Sequence, residues 1–568
     1  MHPAWVSPFS YAAFSGQGFL AALFAASGDE TRTAFAPGSA LWSSLVEAQT
    51  DYQTQYVALW HGALSRSQGR KIAPVIEPEQ GDRRFNGAAW RDNPYFDFLK
   101  QNYLLQSRAL HRFVDALDID EAVRQRLRFC ARQLTDALSP TNFVATNPDA
   151  LNVAAMTQGE SLLRGMQNLH ADLARGKLSI TDEAAFAVGV NLATTPGSVI
   201  YENDVMQLIQ YASITDSVRA RPLVIVPPCI NKYYVLDLSP HNSFVRYAVE
   251  QGNTVFMISW RNIEADGRHL TWDDYIERGV LKAIEIARAV READEVNTLG
   301  YCVGGTMLGT ALTVLAARGE QHVGSATLVA TMLDFSDTGE IGMFVDEATV
   351  SGFEAALAQG GVRAGRDLAA VFAAVRGNDV IWPYVVNNYL LGKAPAAFDI
   401  LYWNEDYADL PGPWYCWYLR HTYLENNLRR PNAVAVCGQP LDLGRVTIPG
   451  YVLATREDHI VPWQTAYRSM QLLDGEHRFV LAASGHVAGI LNPPAQNRRS
   501  YWSSDTVHEA PDAWFAAATE HVGSWWMDWD AWLARHAGGS VPAPERVGSA
   551  QYGAIEDAPG RYVKQRAH

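Results

Sequence analysis

Gly300-Tyr301-Cys302-Val303-Gly304-Gly305 lies between an apolar run, Val296–Leu299, and a helical run from Gly304 to about Ala317. Small-x-nucleophile-x-small between a strand and a helix is the pattern of a nucleophile elbow. The turn is sharp, and glycines flank it because side chains would clash. The usual nucleophile is serine; here it is cysteine. A thiolate attacks a thioester well and leaves again readily, so the residue suits acyl transfer from a thioester. The other four cysteines, Cys130, Cys229, Cys416 and Cys437, form no CxxC and no metal-ligand spacing. They read as small buried hydrophobes.

Working outward, short apolar runs alternate with helical stretches. Pro222–Val226, Thr254–Trp260, Val296–Leu299, Ala326–Thr331, Tyr451–Thr455 and Arg478–Ala482 read as buried strands. Ser198–Tyr201 and Val205–Tyr211 flank Glu202-Asn203-Asp204 and read as a hairpin. Trp272–Val290 is an amphipathic helix with Thr271 as N-cap and Asp273 and Asp274 in its first turn. A hairpin, then a parallel sheet covered on both faces, with an elbow after a central strand, is the α/β-hydrolase arrangement.

That fold places nucleophile, acid and histidine in this chain order. The acid follows a late strand, and Arg456-Glu457-Asp458-His459-Ile460-Val461-Pro462-Trp463 follows Tyr451–Thr455. The histidine follows the last strand, and Ser484-Gly485-His486-Val487-Ala488-Gly489 follows Arg478–Ala482. Cys302, Asp458 and His486 are therefore the candidate catalytic set. Glu457 and His459 adjoin the acid, but His459 precedes the last strand. Two backbone N–H groups must meet the oxyanion. One belongs to Val303, after the nucleophile. The other lies in Val226-Pro227-Pro228-Cys229-Ile230-Asn231. Proline has no N–H, so the donor is at Cys229 or beyond, and Ile230 is favoured.

The regions outside this frame divide in two. Residues 1–183 read as a helical N-terminal domain, with apolar spacing over Phe96–Leu117 and Ile119–Leu138 and a polar loop over Gln80–Asn93. No catalytic constellation occurs there, so its expected work is assembly or attachment. Residues 184–568 form the catalytic domain, with a cap subdomain over about 334–446. Twelve aromatics lie between Trp382 and Tyr423, suiting either a cap over the site or a buried interface.

The chain has 568 residues, 48% of them hydrophobic, and a net charge of −15. No basic stripe appears, which argues against nucleic acid as a partner. No apolar run is long enough for a transmembrane span. Gly18–Ala26 is short and apolar, but Met1–Gln17 contains no Lys or Arg, so a secretory leader is not expected. Few, unpatterned cysteines suit a reducing, cytoplasmic location.

The motifs together resemble the class I polyhydroxyalkanoate synthases over nearly the whole length. The stretches are Pro227–Tyr234, Gly300–Gly305, Leu333–Gly339, Pro411–Tyr418, Arg456–Trp463, Ser484–Pro494 and Ala558–Lys564. The resemblance implies an acyltransferase that polymerises (R)-3-hydroxyacyl-CoA, short-chain units such as 3-hydroxybutyryl-CoA, into polyester with release of CoA. It implies a homodimer on cytoplasmic polyester granules, in contact with the granule surface and its associated proteins. It implies no cofactor and no metal, CoA being part of the substrate. It maps nucleophile, acid and histidine onto Cys302, Asp458 and His486, and credits the acid with activating the 3-hydroxyl of an acyl unit. The plainer role for Asp458, orienting His486, stays open. Two other readings stand beside this one: a cysteine thioesterase of the same fold, which passes the acyl group to water, and a non-catalytic granule-coating protein. The product, hydroxy acid or polymer, separates the first; CoA release separates the second.

Overall fold

The computed structural model describes residues 40–567 other than Gly69 and Lys71. The apolar stretch Gly18–Ala26 lies outside them. The chain forms two compact units, one of Met1–Asp182 with Phe372–Ala397, the other of Glu183–Val371 with Phe398–His568.

The larger unit is built on one sheet. Its strands in chain order are β1 (Gly197–Glu202), β2 (Met206–Tyr211), β3 (Leu223–Val226), β4 (Val255–Trp260), β5 (Val296–Tyr301), β6 (Val323–Val329), β7 (Gly450–Thr455), β8 (His477–Ala482), β9 (Ser500–Ser503), β10 (Thr519–Val522) and β11 (Glu556–Asp557). Their order across the sheet is β10-β9-β8-β7-β6-β5-β3-β4-β2-β1-β11. From β4 to β8 every neighbouring pair is parallel. This is the α/β-hydrolase sheet. Its β2, β3, β4, β5 and β7 are buried along their whole length. That is why they read as continuous apolar runs: helices cover both faces of a parallel sheet.

The strand order contains a switch. β3 continues to β4 on one side, and β5 continues to β6 on the other. In such sheets the loops at a switch point diverge and leave a crevice beyond the strand ends. Val226 and Gly300 are register partners here, so the loops after β3 and β5 start side by side. Those are the loops that carry Ile230 and Cys302.

Tryptophans supply much of the packing. The helix Trp525–Ala534 lays Trp525, Trp526, Trp529 and Trp532 into the core that holds Val199, Ile225, Leu299 and Val480. Trp529 Nε1 donates to Thr327 Oγ1 at 3.0 Å, so its polar edge is paired within the core. Thr271 caps the next helix through a full capping box with Asp274, and that helix opens through a π-turn, Tyr275–Leu281, before Lys282–Arg291.

Several expectations change. β8 is the last parallel strand but not the last strand: β9 and β10 extend the edge antiparallel. They are short and half-exposed, so they carry no apolar run. The polar stretch Gln80–Asn93 contains a helical turn, Ala89–Asp92, that buries Trp90. The segment Phe372–Ala397, expected within the cap, groups with the N-terminal unit. There Gly165 lets the helix Glu160–Arg175 approach the backbone of Tyr389, whose hydroxyl donates to Asp172 at 2.7 Å. The rings of Trp414–Tyr418 turn inward: Trp272 stacks on Trp417 at 4.4 Å and lies 5.3 Å from Trp414. Trp414, Tyr415 and Tyr418 are buried in the larger unit.

A Cβ on Gly304 would lie 2.3 Å from Val226 O and 2.5 Å from Pro227 O. Both obstacles are backbone and cannot swing aside. Gly304→Ala should therefore destabilise the larger unit by about 1–3 kcal/mol, the usual effect of overpacking. Gly62→Ala, with nothing within 4 Å, should not lower the thermal midpoint. Equal melting curves for the two variants would contradict the close approach.

Candidate active site

β5 ends at Tyr301, and the helix Val303–Arg318 begins one residue after Cys302. Between them Cys302 takes φ +55° and ψ −129°. A positive φ at a residue with a Cβ costs of order 1–3 kcal/mol and persists only when its surroundings impose it. Here they do. The Cys302 N–H donates to Val329 O at 2.9 Å. Gly300 and Gly305 touch one another, and a Cβ on Gly305 would strike the Thr331 side chain. Val303 stands at the first helical position, where an N–H has no intrahelical acceptor.

β8 ends at Ala482, and the chain turns through Ser484 at φ +81° to bring His486 back over the sheet. The imidazole lies on the Tyr301 ring at 5.5 Å with 28° between planes. Its Nδ1 meets Asp458 Oδ2 at 2.7 Å. Asp458 sits in the loop after β7. That loop is tied to the histidine loop by Glu457 N–H donating to Ser484 O at 3.0 Å. Glu457 itself is exposed, and the structure pairs Asp458, not Glu457, with the imidazole.

Asp458 is closely held. Its Oδ1 accepts from the backbone N–H of Ile460 and of Val461, each at 2.9 Å. Its Oδ2 accepts from Thr455 Oγ1 at 3.0 Å besides His486. A carboxylate has about four acceptor positions, and all are taken. The side chain has no exposed surface.

The electrostatics follow from these contacts. Burial disfavours the charged imidazolium, but the Asp458 carboxylate and the Cys302 sulfur outweigh it, and the His486 pKa is raised from 6.5 to about 10. Burial pushes Asp458 up, while His486 and the backbone donors push it further down, so its net shift is downward. The Cys302 sulfur lies close enough to act electrostatically on the imidazole. Cys302, His486 and Asp458 are thus one connected set. Tyr418, buried, and Tyr423, half-buried, both from the expected cap, lie where Cys302 acts on them electrostatically.

The loop after β3 lies against the elbow, as the Gly304 contacts show. Ile230 O accepts from Ala408 N–H at 2.8 Å. Its own N–H has no protein acceptor among the described residues. Thr455 and Tyr301 escaped the sequence reading; each is the last residue of its strand, and strand-end position was the available signal. Among the described residues no group of three or more His, Cys, Asp or Glu could hold a metal ion.

Known proteins share this fold. Residues 81–248 match the family model described as the N-terminus of poly-beta-hydroxybutyrate polymerase, and residues 222–493 match the alpha/beta hydrolase fold. The poly(3-hydroxyalkanoate) polymerase subunit PhaC of Cupriavidus necator is 52% identical over 92% of this chain and 89% of its own. The chain belongs to the poly(3-hydroxyalkanoate) polymerase family. The PhaC subunit of Rhizobium meliloti is 41% identical over 92% of this chain and 86% of its own, and poly(3-hydroxyalkanoate) polymerase 1 of Ectopseudomonas oleovorans is 41% identical over 86% and 88%. Membership spans both compact units, so it covers the helical region as well as the sheet.

The raised His486 pKa fixes a sign. Its protonated form is favoured by folding, so its contribution to stability is present in full below about 6.5 and is lost as pH rises through about 10. Asp458 works the other way: its contribution is present above its ordinary 3.8 and is lost as pH falls below that. In Asp458→Asn the opposing charge is gone while burial remains. The His486 pKa should fall to about 6.5 or lower. A histidine NMR titration checks it, and an unchanged midpoint would mean that Asp458 does not hold the imidazolium.

Proposed function

We propose that the chain polymerises (R)-3-hydroxyacyl-CoA, short-chain units such as 3-hydroxybutyryl-CoA, into polyester through an acyl group carried on Cys302. The observation that carries the reading is the connected Cys302–His486–Asp458 set at the ends of β5, β8 and β7. His486 holds the proton drawn from Cys302, and the sulfur attacks the thioester carbonyl. The carbonyl oxygen becomes an oxyanion and receives the N–H groups of Val303 and Ile230. The C–S bond to CoA breaks, and His486 returns the proton to the leaving sulfur. The 3-hydroxyl of another acyl unit or of the growing chain then gives its proton to His486. It attacks the Cys302 thioester, and an ester bond replaces the C–S bond. No cofactor enters these steps.

For Asp458 the geometry favours orientation. A group with both oxygens saturated and no exposed surface has no free position for a substrate hydroxyl. Its work is to hold the tautomer and the charge of His486. The thioesterase reading uses the same acylation and differs only in the acceptor, so polymer is the deciding product.

Attachment to the polyester surface belongs to the N-terminal unit. The helix Glu160–Arg175 is inverted. It buries Ser161, Gly165 and Asp172 and exposes Leu163 at 58%, Met166 at 69% and Leu173 at 44%. An apolar row on a soluble surface marks an interaction site, and an apolar polyester granule suits it. Residence on such granules in the cytoplasm, as a homodimer, completes the reading. Among the described residues no helix is long and apolar enough to cross a membrane.

Cys302→Ala should abolish CoA release, while Cys130→Ala and Cys437→Ala retain it; substantial polymer from Cys302→Ala would falsify the assignment. If Asp458 orients His486, Asp458→Asn should slow the first single-turnover release of CoA and the later elongation together. A normal first turnover with failed elongation would instead return the hydroxyl-activating role to it. Leu163→Glu with Met166→Glu should keep CoA release and lower the fraction of protein that sediments with washed polymer. Unchanged sedimentation would remove this helix from the attachment surface.

A further inference from the structure

The motif Ala558–Lys564 has no part in the steps above, yet the chain around it is carefully anchored. Glu556–Asp557 pairs with β1. Tyr562 N–H donates to Gln207 Oε1 at 3.1 Å, and its hydroxyl donates to Asn203 O at 2.8 Å. Val563 is 1% exposed and belongs to the main core. Arg566 donates to the Tyr402 hydroxyl at 2.8 Å. The carbonyl of Gln565 then accepts from Lys232 Nζ at 2.8 Å.

Lys232 is an unusual residue to find there. It is 4% exposed, and a buried ammonium is costly unless something holds it. It makes no ion pair within 4.0 Å among the described residues; the carboxylates of Asp406 and Asp409 act on it from further away. Its bond to a main-chain carbonyl fixes a point rather than a charge partner. Lys232 is two residues beyond Ile230. The intervening backbone is held from one side by the stretch 403–408. Trp403 Nε1 donates to Lys232 O at 2.7 Å, Asn231 bridges Tyr407, and Ala408 N–H donates to Ile230 O at 2.8 Å. The Lys232 side chain ties the same loop to Gln565.

We propose that Lys232 is a positioning residue for the oxyanion donor, and that the segment Tyr562–Arg566 acts on the reaction through it. The ammonium clamps the loop after β3 between the stretch 403–408 and the Gln565 carbonyl, and this sets the direction of the Ile230 N–H. The proposal rests on the reading of Ile230 as an oxyanion donor in acyl transfer from CoA. Displacement of a catalytic group by about 1 Å costs on the order of 10²-fold in rate, so a loosened loop has a large effect without any lost substrate contact.

The test separates attack by sulfur from stabilisation of the oxyanion. Iodoacetamide alkylates Cys302 by displacement: a C–S bond forms, iodide leaves, and no tetrahedral oxyanion arises. CoA release from (R)-3-hydroxybutyryl-CoA passes through one. In the full chain, Lys232→Met keeps the apolar stem and removes the bond. Its kcat for CoA release should fall by on the order of 10²-fold, with KM and the rate of Cys302 alkylation each within about threefold of the parent. Lys232→Arg, which can still reach the carbonyl, should recover about tenfold of that loss. A kcat within threefold of the parent overturns the proposal. So does an alkylation rate that falls as far as kcat, which would mean general loosening of the site. If Lys232→Met does not fold, Arg566→Ala replaces it. That variant frees the segment from Tyr402 and should give the same split at smaller size, and the same two results overturn the proposal. Failure of the functional reading looks different: Cys302→Ala would then still release CoA, whatever happens at Lys232.

Discussion

The contact on which the site depends is the approach of Gly304 to the carbonyls of Val226 and Pro227. It brings the start of the elbow helix against the end of β3 with no side chain between. The elbow therefore cannot shift without moving the loop that carries Ile230. The positive φ of Cys302 follows from the same crowding. The strand has to turn into a helix within one residue, and the helix has nowhere else to lie. Backbone strain at the nucleophile is offset by packing on both sides of it, which is how such strain persists at functional sites.

A second constraint acts on the histidine. The imidazole is buried, so its charge would be costly by itself. Asp458 makes that charge acceptable only because Asp458 is ionised, and Asp458 stays ionised through the N–H groups of Ile460 and Val461 and the Thr455 hydroxyl. The chain of dependence runs from a turn in the backbone, to a carboxylate, to the imidazolium beside Cys302. Each member is stabilised by the one before it. Tyr301 contributes differently. It fills the space under the ring and so fixes the plane in which the proton moves.

The parts of this site that could be read in the sequence were those that the sheet imposes. Parallel buried strands are written as apolar runs, and a candidate catalytic residue three or four positions beyond a run announces itself by place. Cys302, Asp458 and His486 come together from 156 and 28 residues apart because their strand ends meet. The Ile230 N–H has no protein acceptor among the described residues; the two prolines excluded only themselves and left Cys229 and the residues beyond it open. What escaped is what burial does not encode in a run. β9 and β10 are half-exposed edge strands, and their composition is that of loops. Phe372–Ala397 is close in sequence to cap residues but bonds to the N-terminal unit through Asn388 and Tyr389, a contact that no periodicity signals.

The aromatic segment shows why composition alone left its role open. Dense rings near Trp414 suit an interface and a core equally well, because both reward large apolar area. The deciding fact is a partner far away in sequence. Trp272 offers a face to Trp414, Trp417 and Tyr418 at once, and the N-cap Thr271 sets where that face points. The rings are consumed in fixing the stretch 412–424 to the sheet unit. Tyr418 and Tyr423 thereby arrive where Cys302 acts on them electrostatically. The segment thus walls the nucleophile while remaining part of the same packed core.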